Sequence, residues 1–146
     1  IVGQSNTGKS SFINYLSKKY VTTESNKLQT TRINLHNRIK INDLEINIID
    51  TPGISLTKND LLSESMQHSY IKTMQAIDLV IMMLDINIKD LSYEDSIMNL
   101  LPSDCNLVIL INKIDLIGDN YNMLKNLKKI ISDKFNNPIF LLRMKL

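Results

Sequence analysis

What this chain lacks narrows it before any motif is read. Its 146 residues hold a single cysteine, Cys105. An internal disulfide is therefore impossible, and a reducing compartment such as the cytoplasm or an organelle matrix is the expected setting. Cys105 has no CxxC partner and no neighbouring histidine, which leaves it a packing role. Only two histidines are present: His36 falls in an expected strand and His68 in an expected helix, away from every motif below. No zinc-ligand spacing exists. No apolar run approaches the roughly 20 residues of a membrane-spanning helix, and no signal peptide precedes the first motif. Neither charge sign dominates. The net charge of +2 is too small to argue for nucleic acid or an anionic membrane as partner. No internal repeat or low-complexity tract interrupts the chain.

What remains fits one folded domain. Hydrophobic residues make up 43% and charged residues 22%, the balance of a chain that buries a core. The first eleven residues organise it. Ile1-Val2 leads into Gly3-Gln4-Ser5-Asn6-Thr7-Gly8-Lys9-Ser10-Ser11, the G-x-x-x-x-G-K-[ST] pattern of a phosphate-binding loop. Gly3 and Gly8 permit turns that a Cβ would block and allow close approach to an anion. Successive backbone N–H groups can then surround phosphate oxygens, at the positive end of a following helix. Lys9 is the point charge for the β- and γ-phosphates. The Ser10 hydroxyl is a hard oxygen suited to Mg²⁺. Taken alone, the pattern also fits an ordinary glycine-containing turn between strand and helix.

Further along, residues 11–19 read as a helix with Phe12, Ile13 and Leu16 on one side. Residues 20–32 are polar and aperiodic, which marks a functional loop. Residues 33–35 and 39–41, the Asn42-Asp43 turn and residues 44–49 predict an antiparallel hairpin at a sheet edge, ending at Asp50-Thr51-Pro52-Gly53. A helix is expected over 63–75, where Met66, Tyr70 and Met74 recur at helical spacing. Residues 78–84 and 106–111 are continuous apolar runs, the mark of strands covered on both faces. A helix over 92–101, capped by Ser92 and stopped by Pro102, separates them. Residues 121–135 predict a Lys-rich amphipathic helix burying Leu124, Leu127 and Ile131. Residues 139–142 predict a last strand. Asp85 and Asp90 follow a strand end without a motif around them.

Alternating strands and helices, several strands wholly apolar, predict a parallel α/β sheet with helices on both faces. Ligands of such sheets bind at the carboxyl ends of the strands. Residues 3–10, 50–53 and 112–115 all follow strand ends, so they should meet on one rim. Asp50 suits direct or water-mediated Mg²⁺ coordination. Gly53 offers a backbone N–H toward a γ-phosphate, although Pro52-Gly53 alone equally fits a plain turn. In Asn112-Lys113-Ile114-Asp115, a carboxylate can accept two hydrogen bonds from N1–H and the exocyclic amine of guanine, a donor pair adenine lacks. The Lys113 stem can lie over the purine, and Asn112 can tie this segment to the phosphate loop.

In these motifs, their order and their spacing, together with Gln29-Thr30-Thr31-Arg32, the chain resembles the translation-factor-related small P-loop GTPases, and among them the Era-like branch. The resemblance spans nearly the whole chain. It implies a three-layer α/β G domain over residues 1–146, with a mostly parallel six-stranded sheet and one antiparallel edge strand. It implies a GTP/GDP-binding switch with slow, Mg²⁺-dependent GTP hydrolysis. Residues 20–32 and 50–62 would be its switches, and Ser10, Thr31 and Asp50 its Mg²⁺ residues. Lys9, Thr31 and Gly53 would be catalytic, and residues 3–11 with Asp50, Thr51, Pro52, Gly53, Ile54, Asn112, Lys113, Ile114 and Asp115 would contact nucleotide. Ile54 stands where Ras-like proteins carry a water-orienting Gln. Asn6 matches an Asn that in several relatives helps hold K⁺ against the phosphates. Ribosome or RNA binding is implied by the family, but through a KH module that does not follow here. The leading strand has only Ile1 and Val2, and Arg143-Met144-Lys145 lacks the Ser-Ala pair of the family's fifth motif. The chain therefore reads as a G domain trimmed at both ends, or alternatively as a weak nucleotide binder without significant catalysis. Asp115 argues against an ATPase or kinase.

Overall fold

The computed structural model describes residues 1–20, 35–50, 77–118 and 120–143. The expected loop up to Arg32, the expected helix over 63–75 and most of the fifth motif lie outside the described residues, as does His68. Helix α1, Lys9–Tyr20, follows the glycine-containing loop. Strands β1, Leu35–Ile41, and β2, Leu44–Asp50, form an antiparallel hairpin in the register Ile41↔Leu44 to Leu35↔Asp50. Asn42 turns the corner at φ 54°, a left-handed conformation that Asn tolerates better than other side chains.

The second half of the chain builds a parallel sheet. Strands β3, Val80–Asp85, β4, Leu107–Asn112, and β5, Ile139–Leu141, lie side by side in that order. Helix α2, Ser92–Met98, connects β3 to β4. Helix α3, Tyr121–Lys134, connects β4 to β5, with Asn120 accepting a hydrogen bond from the Met123 amide at its start. Ile1 and Val2 run between the hairpin and this sheet. The Ile1 amino group donates to the Ile49 carbonyl at 2.7 Å. The Val2 amide donates to Ile81 O at 2.9 Å and its carbonyl accepts from the Met83 amide at 2.8 Å.

Burial follows the period of two along much of β3 and β4. Val80, Met82 and Leu84 of β3 pack with Leu107, Ile109 and Ile111 of β4 into a core closed by Ile97, Leu127, Ile131 and Phe135. Met83, between them on β3, is equally buried, so this strand is covered on both faces as its unbroken apolar run requires. A second cluster joins Ile13 of α1 to Ile39 and Ile48 of the hairpin. On α3, Lys125, Lys128 and Lys129 are exposed while Leu127 and Ile131 are buried.

Helix α2 differs from expectation at both ends. Leu91, not Ser92, is its N-cap, and no side chain caps it there. Asp90 accepts from the Ser92 amide at 3.1 Å and also from the Ser92 hydroxyl. A carboxylate outcompetes a hydroxyl as acceptor, and the Ser92 oxygen is drawn into donating to it. The helix ends at Met98, three residues early. Leu100 and Leu101 donate instead to Ile97 O and Met98 O. Pro102 disfavours the helical conformation at the residue before it, so the last turn tightens into i→i−3 bonds.

Ile131 is fully buried and its neighbour Ile130 is 55% exposed. Ile131→Ala should cost about 2–5 kcal/mol in denaturant unfolding, and Ile130→Ala less than about 1 kcal/mol. Equal losses would contradict the assigned face of α3.

Candidate functional site

The loop before α1 alternates backbone hand. Gly3, Asn6 and Gly8 have φ of 144°, 63° and 99°. Such alternation directs successive amides into one concavity, the geometry of an anion nest. The demand on Gly3 is also steric. A Cβ there would stand 2.3 Å from the Met83 carbonyl oxygen of β3, so the loop is pressed against the sheet. Ser5 and Asn6 are exposed, Ser10 is exposed in the first turn of α1, and Ser11 is half-buried.

Gln4 is the hub of the loop. Its carbonyl accepts from the Thr7 hydroxyl at 3.0 Å and from the Lys9 ammonium at 2.7 Å. Lys9 is buried, and it also donates to Gly3 O at 2.9 Å. Its charge is therefore held within the loop by carbonyl oxygens of the same loop.

The carboxyl end of β4 reaches the same place. Asn112 is 1% exposed and its Nδ2 donates to Thr7 O at 2.9 Å. Lys113 adopts the left-handed conformation, φ 62°, and its Nζ donates to Asn6 O at 2.6 Å. Ile114 and Asp115 open a short 3₁₀ turn, Ile114–Ile117, on which Asp115 is exposed. Residues 3–9 and 112–115 are thus brought together. Asp50 closes β2, whose Ile49 carbonyl holds Ile1 just before the loop. Thr31, Thr51, Pro52, Gly53 and Ile54 lie outside the described residues.

The sequence reading missed the acidic residues of the β3–α2 connection. Asp85, read as having no motif around it, pairs with the Lys113 ammonium at 2.7 Å and accepts from the Asn87 amide at 2.8 Å. Burial pushes its carboxyl up, but the Lys113 hydrogen bond and charge and the Asn87 amide outweigh this and hold it below its ordinary value. The β3–β4 register sets it opposite Asn112, one residue before its partner Lys113, a placement that only the folded sheet reveals. Glu94 of α2 is fully buried, and its Oε2 accepts from Gln4 Nε2 at 3.2 Å. Burial, with Asp90 and Asp95 nearby, pushes the Glu94 carboxyl up despite its own amide and Gln4. Cys105 lies at the far, amino end of β4, its thiol pushed up by burial and by Asp104, in keeping with a packing role. Among the described residues no cluster of three or more His, Cys, Asp or Glu could hold a metal, and no helix is long and apolar enough to cross a membrane.

A nest-forming glycine loop at the head of a helix, bound to an Asn-Lys-x-Asp segment at a neighbouring strand end, defines a P-loop GTPase G domain. The sequence model of the 50S ribosome-binding GTPase family matches residues 1–113, and the chain belongs to that family. The GTPase Era of Nitrosomonas eutropha is 29% identical over 130 residues, covering 89% of this chain and 44% of that protein. The tRNA modification GTPase MnmE of Acetivibrio thermocellus is 35% identical over 119 residues, covering 82% of this chain and 26% of its own length. An Aquifex aeolicus Era variant bound to GDP·AlF4⁻ superposes with a TM-score of 0.73 at 30% identity, covering 97% of this chain and 49% of that one. Era in complex with MgGDPNP and nucleotides of 16S ribosomal RNA gives 0.73 at 29% identity, with 97% of this chain and 49% of that one covered. The chain thus spans less than half the length of these relatives.

The raised Glu94 carboxyl has a testable sign. A folded-state pKa above the unfolded value of about 4.3 gives a contribution that is full below that pH and is lost as pH rises through the folded value. Glu94→Gln removes this dependence. Its stability relative to wild type should therefore improve as pH rises above about 4.3 and level off once the folded-state carboxyl has ionised, as read in denaturant melts. A difference independent of pH would contradict the assignment.

Proposed function

We propose that this chain is a GTP/GDP-binding switch domain in which residues 3–11 hold the nucleotide phosphates and residues 112–115 read guanine. The observation that carries this is the pair of bonds from Asn112 to Thr7 O and from Lys113 to Asn6 O, across more than a hundred residues of sequence. A nucleotide has a fixed distance between base and phosphates. A phosphate loop tied directly to a base-reading segment keeps that distance constant.

In this reading the loop amides and the start of α1 meet phosphate oxygens. Lys9, now on the Gly3 and Gln4 carbonyls, would turn its ammonium to the β- and γ-phosphates. Asp115 would accept from N1–H and the amine of guanine. The Lys113 stem, its head held by Asp85 and Asn6 O, would flank the ring. Ser10, Thr31 and Asp50 are hard oxygen donors and would hold Mg²⁺, which neutralises charge on the phosphates when bound. The Era structure with MgGDPNP supports that cofactor. Asn6, with its backbone already in the left-handed region, would help hold K⁺ beside the phosphates. Thr31 and the Gly53 amide would sense the γ-phosphate. With Ile54 in place of a water-orienting Gln, hydrolysis would be slow.

The hydrogen bonds of Ile1 and Val2 to β2 and β3 support a single six-stranded sheet in the order β1, β2, residues 1–2, β3, β4, β5, and one Era-type G domain over residues 1–146. Ribosomal RNA enters as the partner of the Era relative, and the single cysteine supports a reducing setting, the cytoplasm or an organelle matrix.

Fluorescent GDP should bind and be displaced by GTP but not by ATP; equal displacement by ATP would overturn the guanine reading. Asp115→Asn removes a charged, doubly bonded acceptor, so GDP should weaken about 30- to 100-fold while xanthosine diphosphate strengthens. Lys9→Ala should abolish phosphate-dependent binding. GTP turnover in K⁺ should exceed that in Na⁺, and equal rates would reject the assignment of Asn6.

A further inference from the structure

Glu94 is a fully buried carboxylate, and nothing in the site chemistry above uses it. Its Oε2 meets Gln4, while its Oε1 has no hydrogen-bond partner. A half-satisfied buried carboxylate costs stability that an apolar side chain of similar volume would not, so packing does not account for it. Its position does. Gln4 offers Glu94 its side chain and offers Lys9 and Thr7 its carbonyl. Thr7 in turn receives Asn112. The preceding residue of α2, Tyr93, donates a long hydrogen bond, 3.4 Å, to Gly3 O, the other carbonyl that holds Lys9. The first turn of α2 therefore grips both loop residues whose carbonyls seat the lysine.

We propose that Glu94 is a positioning residue for nucleotide binding: by holding the Gln4 amide it sets the Gly3-Gln4 backbone, and with it Lys9 and Thr7, in the shape that receives phosphates. This rests on the assignment of residues 3–11 to phosphate binding. Helix α2 becomes a lever on the loop. A shift of its first turn would move the lysine's seat and, through Thr7, the base-reading segment.

The test compares Glu94→Ala, Glu94→Gln, Gln4→Ala and the double variant Glu94→Ala/Gln4→Ala in the full chain. Fluorescent-GDP affinity is measured alongside amide hydrogen exchange of the nucleotide-free protein. Glu94→Ala should weaken GDP about tenfold, and Glu94→Gln, whose amide oxygen still accepts from Gln4, should recover to within about twofold of wild type. The double variant should be no weaker than the worse single one, because both remove the same link. Exchange should rise across residues 3–9 in Glu94→Ala and stay unchanged in β4. Wild-type affinity in Glu94→Ala, additive losses in the double variant, or exchange raised equally throughout the sheet would each overturn the proposal. A wild-type chain that binds no GDP while exchange at residues 3–9 still responds would overturn the nucleotide reading and leave the coupling standing.

Discussion

The hydrogen bond from Asn112 to the Thr7 carbonyl is the constraint on which the site depends. Asn112 is almost wholly shielded from water. A buried amide without its partner costs about 1–3 kcal/mol, so the loop and the end of β4 are held together by more than contact. Lys113 adds a second tie one residue later, and Asp85 pins that lysine from the neighbouring strand. Three segments far apart in sequence thereby share one rigid edge at the carboxyl ends of parallel strands. The sheet supplies the rigidity, since Met82, Met83 and Leu84 of β3 and Ile109 and Ile111 of β4 are wholly buried.

The stretch from the end of β3 to the first turn of α2 carries three carboxylates in three different settings, two held low and one pushed up. Asp85 is held low chiefly by Lys113, against the opposing effect of burial. Asp90 is held low by the hydroxyl and amide of Ser92, which starts the helix. Glu94 is pushed up by burial and touches the loop only through a neutral amide. One functional group thus fixes a lysine, a helix start and a loop backbone, and the local environment decides which. This short segment, without any recognisable motif, supports the glycine-containing loop directly at Gly3 and Gln4 and, through Lys113, at Asn6.

Much of the fold was legible because its signals are local. The Asn42-Asp43 turn between alternating runs specified the hairpin, and the apolar runs at β3 and β4 specified strands covered on both faces. The amphipathic spacing of Leu124, Leu127 and Ile131 specified α3 and its buried side. The start of α2 was misread because a serine before an apolar stretch is the usual capping signal. Asp90, two residues upstream, is the stronger acceptor, and only the folded backbone brings it to the Ser92 amide. Asp85 and Glu94 were illegible for a plainer reason. Their partners, Lys113 and Gln4, lie 28 and 90 residues away, and no local pattern records such a pairing.

By itself, then, the sequence determined the kind of site: a glycine-containing loop ahead of a helix, a lysine within it, and an Asn-Lys-x-Asp segment after a buried strand. These depend on spacing along the chain and on intrinsic backbone preference. Only the tertiary structure decided how the parts are held. It pressed Gly3 against the Met83 carbonyl, seated Lys9 on the carbonyls of Gly3 and Gln4, tied Thr7 to Asn112, and placed a buried carboxylate behind the loop. The physical reason is that hydrogen bonds and close packing act over a few ångströms of space, and distance along the chain says little about which groups the sheet will bring that near.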